Sequence, residues 1–299
     1  VFCLFLYMGS FAWAETFTEQ QTPADGATVT VDSGDTYYYD GSQTFEIENH
    51  SNVTLINNGN IIAHPHEDRP TELLGSAYNY TIDSSSSSNF TLTNNGTIWA
   101  GEQTVIDLQS ATGTITVTNN AGALIASGER MGSSHDHGLL DLTGAGSSGD
   151  TITITNHGTI QNVVKNYAII DLDNMTSGAI VNFTNTGLIK QGDPTNGSSQ
   201  AYHQNVDAQN STDEINFTNS GTIQSAKQVI LLNGSTNFTL TNSGTIKEDG
   251  YDAKFNVSDG DAPTTDDYST IQVGTSGSGA IIINSGTISA AGVNHHGIT

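Results

Sequence analysis

The sequence predicts an all-β fold of the parallel β-helix (solenoid) class, right-handed by analogy with other solenoids and about eight coils long. Three observations predict it. A nine-residue phrase recurs eight times at uneven spacing, each copy has the two-residue alternation of a strand, and the composition suits strands and tight turns. Only 13% of the 299 residues are charged, while Thr and the β-branched aliphatics that favour strands abound beside Asn and Gly that favour turns.

The phrase appears as Val53-Thr-Leu-Ile-Asn-Asn-Gly-Asn-Ile61 and Phe90-Thr-Leu-Thr-Asn-Asn-Gly-Thr-Ile98. It returns from Ile115 to Leu124, Ile152 to Ile160, Val181 to Ile189, Ile215 to Ile223, Phe238 to Ile246 and Ala280 to Ile288. Its glycines run from Gly59 to Gly286, seven intervals over 227 residues, and single intervals vary from 23 to 42. Strands that repeat at elastic spacing are the mark of a solenoid whose loops vary while its strands stay in register.

Within the phrase, apolar residues two apart, such as Phe90 and Leu92, alternate with Thr, giving a strand with one buried face. Asn-x-Gly then reads as a sharp corner, because both residues tolerate positive φ. The corner pairs are Asn57 and Gly59, Asn94 and Gly96, Asn156 and Gly158, Asn185 and Gly187, Asn219 and Gly221, Asn242 and Gly244, and Asn284 and Gly286. The third copy has one extra residue before Gly122, so Asn119 or Asn120 takes the corner. Stacked corner amides are expected to form a ladder that satisfies buried turn groups. An aliphatic residue two positions after each Gly, Leu124 in the third copy, is expected to return to the core.

A second, weaker phrase completes the coil: Phe45-Glu-Ile47, Ile82-Asp-Ser84, Ile106-Asp-Leu108, Leu140-Asp-Leu142, Ile170-Asp-Leu172, Val206-Asp-Ala208, Ile230-Leu-Leu232 and Ile271-Gln-Val273. Its middle residue lies 13 to 17 residues before a corner Gly but 10 to 28 after the preceding one. Each coil therefore has three short strands, two tight connections and one side that accepts insertions. At about 4.8 Å per coil, eight coils make a rod about 38 Å long.

The ends read differently. Val1 to Met8 is apolar and Ala12-Trp13-Ala14 precedes Glu15 in the small-x-small form of a signal-peptidase site, so residues 1–14 are expected to be a signal peptide truncated at its start. Cys3, the sole cysteine, falls inside it. The apolar run is too short to span a bilayer. Residues 15–44 are expected to cap the solenoid, and 45–299 to form the β-helix. Val293-Asn-His-His-Gly-Ile-Thr299 is similar to Ser134-His-Asp-His-Gly-Leu-Leu140, which leads into a strand, so the β-helix is expected to end in mid-coil.

Repeats such as Thr-Asn-Asn-Gly-Thr-Ile and Thr-Asn-Ser-Gly-Thr-Ile after a signal peptide resemble the passenger domains of bacterial autotransporters, proteins of type V secretion. Gly26-Ala-Thr-Val-Thr-Val-Asp-Ser-Gly-Asp-Thr-Tyr37 is similar to the region that opens such passengers. The resemblance implies export through the periplasm to the cell surface or outer membrane, or secretion. It also implies a C-terminal outer-membrane barrel for translocation, which this sequence does not include.

With 31 acidic and 7 basic residues the net charge is −24. Nucleic-acid binding is excluded, because phosphate neutralisation needs a Lys/Arg surface. Asp83, Asp107, Asp141, Asp171 and Asp207 occupy equivalent places on five consecutive coils and, by alternation with inward aliphatics, point outward. They form a candidate Ca²⁺- or glycan-binding strip, or a solvated face that resists lateral association; the second reading is preferred, since carboxylates alone fix no coordination geometry. His66, His135 and His137 lie in insertions on either side of a short loop, a pattern open to Zn²⁺ or Ni²⁺, but the preferred reading is exposed polar loop residues that titrate near neutrality. No phosphate loop, dinucleotide fingerprint, HExxH or nonapeptide Ca²⁺ repeat occurs. No catalytic residue, metal site or cofactor is assigned.

The expected function is a non-enzymatic rod that displays loops, such as Gln191 to Asn205 and Lys247 to Thr270, for adhesion to a host or neighbouring cell. The alternative is a secreted carbohydrate-active enzyme, a polysaccharide lyase or glycoside hydrolase, acting along the acidic strip. Arg69 and Arg130 are the only arginines, off that strip, and Tyr202 and Tyr251 are the hints of a sugar platform.

Overall fold

The computed structural model describes residues 14–39, 43–63, 80–101, 104–127, 138–162, 168–191, 204–225, 228–249, 269–273, 279–290 and 296–299. Every regular element among them is a β-strand, and all pair in parallel into three sheets of 9, 9 and 10 strands. One coil shows the plan. Ile170–Asp171 lies in a first sheet, Ile180–Asn185 in a second and Leu188–Gln191 in a third, and the next coil repeats the order with Val206–Asp207, Glu214–Asn219 and Thr222–Ser225. Each strand pairs with its counterpart one coil away, so the chain winds as a parallel β-helix. We call the three the aspartate, threonine and return sheets. No helix among the described residues is long and apolar enough to cross a membrane.

The connections divide as the spacing predicts. From aspartate to threonine sheet they hold 6 to 9 residues, and from threonine to return sheet 2 to 4. From the return sheet back to the aspartate sheet they range from 3 to 20, so the insertions issue from one corner of the cross-section.

Alternation builds the core. In Thr151–Asn156 and Ile180–Asn185 every second residue is buried, which places Ile152, Ile154, Val181 and Phe183 in one interior stack. Phe183 and Phe217 lie face to face on adjacent coils, centroids 4.5 Å apart at 4°, and Phe238 continues the stack at 6.3 Å. Burying each large aliphatic or aromatic side chain stabilises the coil by about 1.5–3 kcal/mol, and parallel register makes identical residues meet their own kind.

Three expectations need correction. The corner glycines other than Gly122 do not have positive φ. Glycine is required there by close approach: a Cβ at Gly96 would stand 2.0 Å from the Gly59 carbonyl oxygen, and one at Gly187 would stand 2.1 Å from that of Gly158. Among non-glycine residues positive φ falls instead in the turns that lead from the aspartate to the threonine sheet, at Asn49, Asn52, Ser86, Asn89, Ser110, Asn174 and Asn210. In the third copy the extra residue shifts the frame: Ile125 pairs with Ile98 and is fully buried, while Leu124 pairs with Thr97 and is half-buried. Ala123 takes the glycine place, its carbonyl accepting from Thr159, and Gly122 sits at φ 84° in the widened turn.

Within residues 15–44, Thr28–Val31 pairs with Thr54–Asn57 and Thr36–Tyr39 with Asn60–Ala63, so this segment is itself wound in register with the coils that follow. Phe17 stacks on Tyr37 at 4.3 Å, and Tyr37 on Phe45 at 5.4 Å, closing that end of the core.

Candidate functional site

Two polar columns run along the rod, one through eight corners and the other through six successive strands. The first is the corner ladder. Nδ2 of Asn57 donates to Oδ1 of Asn94, and the bond is repeated from Asn94 to Asn119, Asn119 to Asn156, Asn156 to Asn185, Asn185 to Asn219, Asn219 to Asn242 and Asn242 to Asn284, all at 2.7–2.8 Å. Asn119, not Asn120, is the third rung. The same amides reach backbone carbonyls of the next coil, for example Asn57 to Thr97 at 3.0 Å, and Asn57 and Asn94 accept from Gly59 and Gly96. Buried amide groups are thereby satisfied.

The second column is the acidic one. Register aligns Glu46, Asp83, Asp107, Asp141, Asp171 and Asp207 on six successive strands, and Leu231 and Gln272 follow them. Glu46 was missed as a site residue, although Phe45-Glu-Ile47 holds it at the same place in the phrase. The five aspartates lie opposite the inward aliphatics, yet none is more than 9% exposed. The expectation of a solvated face is therefore corrected: the carboxylates are buried.

What they do locally is visible in their hydrogen bonds. Oδ1 of each accepts from the backbone N–H two residues on: Ser85, Gln109, Thr143, Asp173 and Gln209, at 2.9–3.0 Å. This is the Asx turn, which gives the chain its bend toward the threonine sheet. Glutamine amides bind the second oxygens: Gln43 donates to Asp83 at 3.1 Å, Gln109 to Asp141 at 2.5 Å, and Gln204 and Gln209 to Asp207.

Adjacent coils place these carboxylates about 4.8 Å apart, and burial with like charge favours their neutral forms. Asp171 is held well above the usual carboxylate range, first by burial and then by Asp141, with Asp207 and Asp173 adding to it. Burial also raises Asp207 and Asp173. The Tyr80 hydroxyl, hydrogen-bonded to Asp107, is pushed up by burial and then by the carboxylates of Asp107, Asp83 and Asp141.

At one end of the column an open cleft of about 400 Å³ is lined by Gln43, Tyr80, Asp83, Asp107 and Gln109, with Glu48 and three serines at its rim. No basic residue is among its described lining. His66, His135 and His137, the arginines Arg69 and Arg130, Tyr202 and Tyr251 all lie outside the described residues, as do residues 1–13. Among the described residues no three His, Cys, Asp or Glu side chains form a group fit to hold a metal ion. Sequence reasoning also missed Tyr80 and the glutamines, although Gln43 and Gln204 stand three residues before the acidic position of the phrase and Gln109 and Gln209 two after it.

No family model, no curated protein and no solved structure matches this chain.

Proposed function

We propose that the protein is a surface-display rod of the autotransporter-passenger type, exported to the cell surface, whose inserted loops make adhesive contacts with a host or neighbouring cell. The observation that carries this reading is the separation of roles around the coil. Two connections are held to 2–4 and 6–9 residues, while the third varies from 3 to 20. A stiff core with insertions on one corner presents many contacts along one line, and many weak contacts held together yield avidity without a deep pocket. The buried aspartates agree with a scaffold role, since their oxygens are committed to turns.

The test is loop replacement. The chain passes from Ser225 to Ile230 through four residues, so replacing 250–268 or 192–203 by a short Gly/Ser connector leaves the coils a workable path. Binding of the purified chain to cells is expected to fall while the β-sheet circular dichroism persists. Binding that survives both replacements, or a chain that adheres to no cell type, overturns the reading.

A second reading rests on the cleft, where Tyr80 stands beside Asp83 and Asp107. It is a carbohydrate-active enzyme with the raised hydroxyl of Tyr80 and a carboxylate as its polar groups. Release of reducing or unsaturated sugars from pectin, alginate or host glycans, lost in Asp107→Asn, supports it; no release from any of them retires it.

A further inference from the structure

The outer face of the threonine sheet carries two straight ranks of hydroxyls. The register aligns Thr93, Thr118, Thr155, Thr184, Thr218 and Thr241 on six successive coils. Two residues earlier, Thr54, Thr91, Thr116 and Thr153 align on four, and Asn182, Asn216 and Thr239 extend that rank. All are half-buried or exposed. None of the threonine hydroxyls in either rank has a hydrogen-bond partner among the described residues. That sets the face apart from the asparagine and aspartate columns, whose polar atoms are satisfied inside the protein.

The two ranks hold neither a charged nor an aromatic residue; Glu214, beside Asn216, stands at the margin. The short connections at both edges of this sheet send the long insertions to the opposite corner. Threonine is β-branched and stiff at χ1, so the hydroxyls and methyls are held as rigidly as the backbone beneath them. The result is a net of oxygens about 4.8 Å apart between coils and about 6.7 Å apart along each strand.

We infer that this face binds ordered water and adsorbs to ice. Tetrahedral water joined by hydrogen bonds of about 2.75 Å has second neighbours about 4.5 Å apart and, in the hexagonal lattice, layers that repeat about every 7.3 Å. The protein net differs from the first spacing by about 0.3 Å per coil, so four coils stay within about 1 Å of registry. Thr91 and Thr93, Thr116 and Thr118, and Thr153 and Thr155 supply three successive coils with both ranks filled. A charged group would hold its own hydration shell and break the lattice; the ranks have none. A crystalline polysaccharide fits less well, because sugar rings bind through aromatic platforms that this face lacks. The proposal is independent of the loops and of the display reading.

The experiment is ice growth in the presence of the full purified chain. The expected result is faceted crystals and a gap between melting and freezing temperatures beyond the colligative effect. The double substitution Thr118→Lys with Thr155→Lys should abolish both, with its β-sheet circular dichroism intact. Gln161→Lys, outward on the return sheet, should leave both unchanged. If the double variant loses its spectrum, Thr184→Lys alone carries the comparison. Ice growth indistinguishable from that in an equal mass of albumin overturns the proposal. So does undiminished activity in the lysine variants, or a chain that ignores ice and sediments with crystalline cellulose or chitin.

Discussion

Asn156 donates through Nδ2 to Oδ1 of Asn185 at 2.8 Å, and its own Oδ1 accepts from Asn119 at 2.8 Å. Each rung is thus donor to one neighbour and acceptor to the other, and every amide along the corner points the same way. Asn156→Ala removes one of the two acceptors of the Asn119 amide, which keeps its bond to the Thr159 carbonyl, and removes the Asn156 donor from the buried Asn185 Oδ1. Each such loss costs about 1–3 kcal/mol, so a loss of about 2–6 kcal/mol is expected in denaturant unfolding.

Asn156→Asp tests the polarity of the ladder. A carboxylate still accepts from Asn119 but has nothing to donate to Asn185. Buried there, its pKa is raised above the unfolded value, so the variant is most stable at acid pH and weakens as pH rises through the folded-state value. Thermal melts from pH 4 to 8 should show this slope in the variant and not in the parent at that site.

Gly187 and Gly122 should answer the same substitution differently. At Gly187 any Cβ meets the Gly158 carbonyl oxygen at 2.1 Å, which only backbone movement relieves. Gly187→Asn is expected to destabilise by at least about 1–3 kcal/mol. Gly122 has open space around it but φ 84°, a strained conformation that Asn tolerates better than most residues, so Gly122→Asn should cost less than Gly187→Asn in the same melts, about 1 kcal/mol.

Asp171 holds a proton more tightly folded than unfolded, because of burial and then Asp141. Its contribution to stability is fully present below the unfolded pKa of about 3.9 and is lost as pH rises through the folded value. Asp171→Asn keeps an oxygen for the Asp173 N–H and removes the repelling charge. It should raise stability at pH 7 by something on the order of 1 kcal/mol and flatten the pH dependence; a less stable variant at pH 7 would contradict this origin.

The third corner supplies a check on register. Ile125→Ala, in the core, should cost about 2–5 kcal/mol, whereas Leu124→Ala, half-buried, should cost less than about 1 kcal/mol.

Most of the fold was legible because a solenoid writes its period into the sequence. Asn and Gly of the corner, the alternating Ile and Phe of the strand, and the Asp of the second phrase each recur in place. What the sequence concealed were relations between coils. The corner Gly looked like a turn residue, but its reason is the carbonyl stacked against it. The aspartates alternate outward, yet whether such a side chain meets water depends on the neighbouring coils and connections, which spacing does not reveal. Leu124 and Ile125 are adjacent aliphatics, and only pairing with Thr97 and Ile98 decides which is inside. The threonine ranks were visible as strand alternation, but their straightness across coils appears only once the register is known.

Hydrogen bonds between coils run along the rod, so a pull on its two ends loads them in line with their length. Each coil is paired only with its neighbours and the terminal coils on one side alone, so tension would free an end coil first and undo the rod turn by turn. Because successive coils differ mainly in their insertions, the extension released at each step would record the length of the loop it carried. Such a rod would yield to a strong pull by paying out chain gradually.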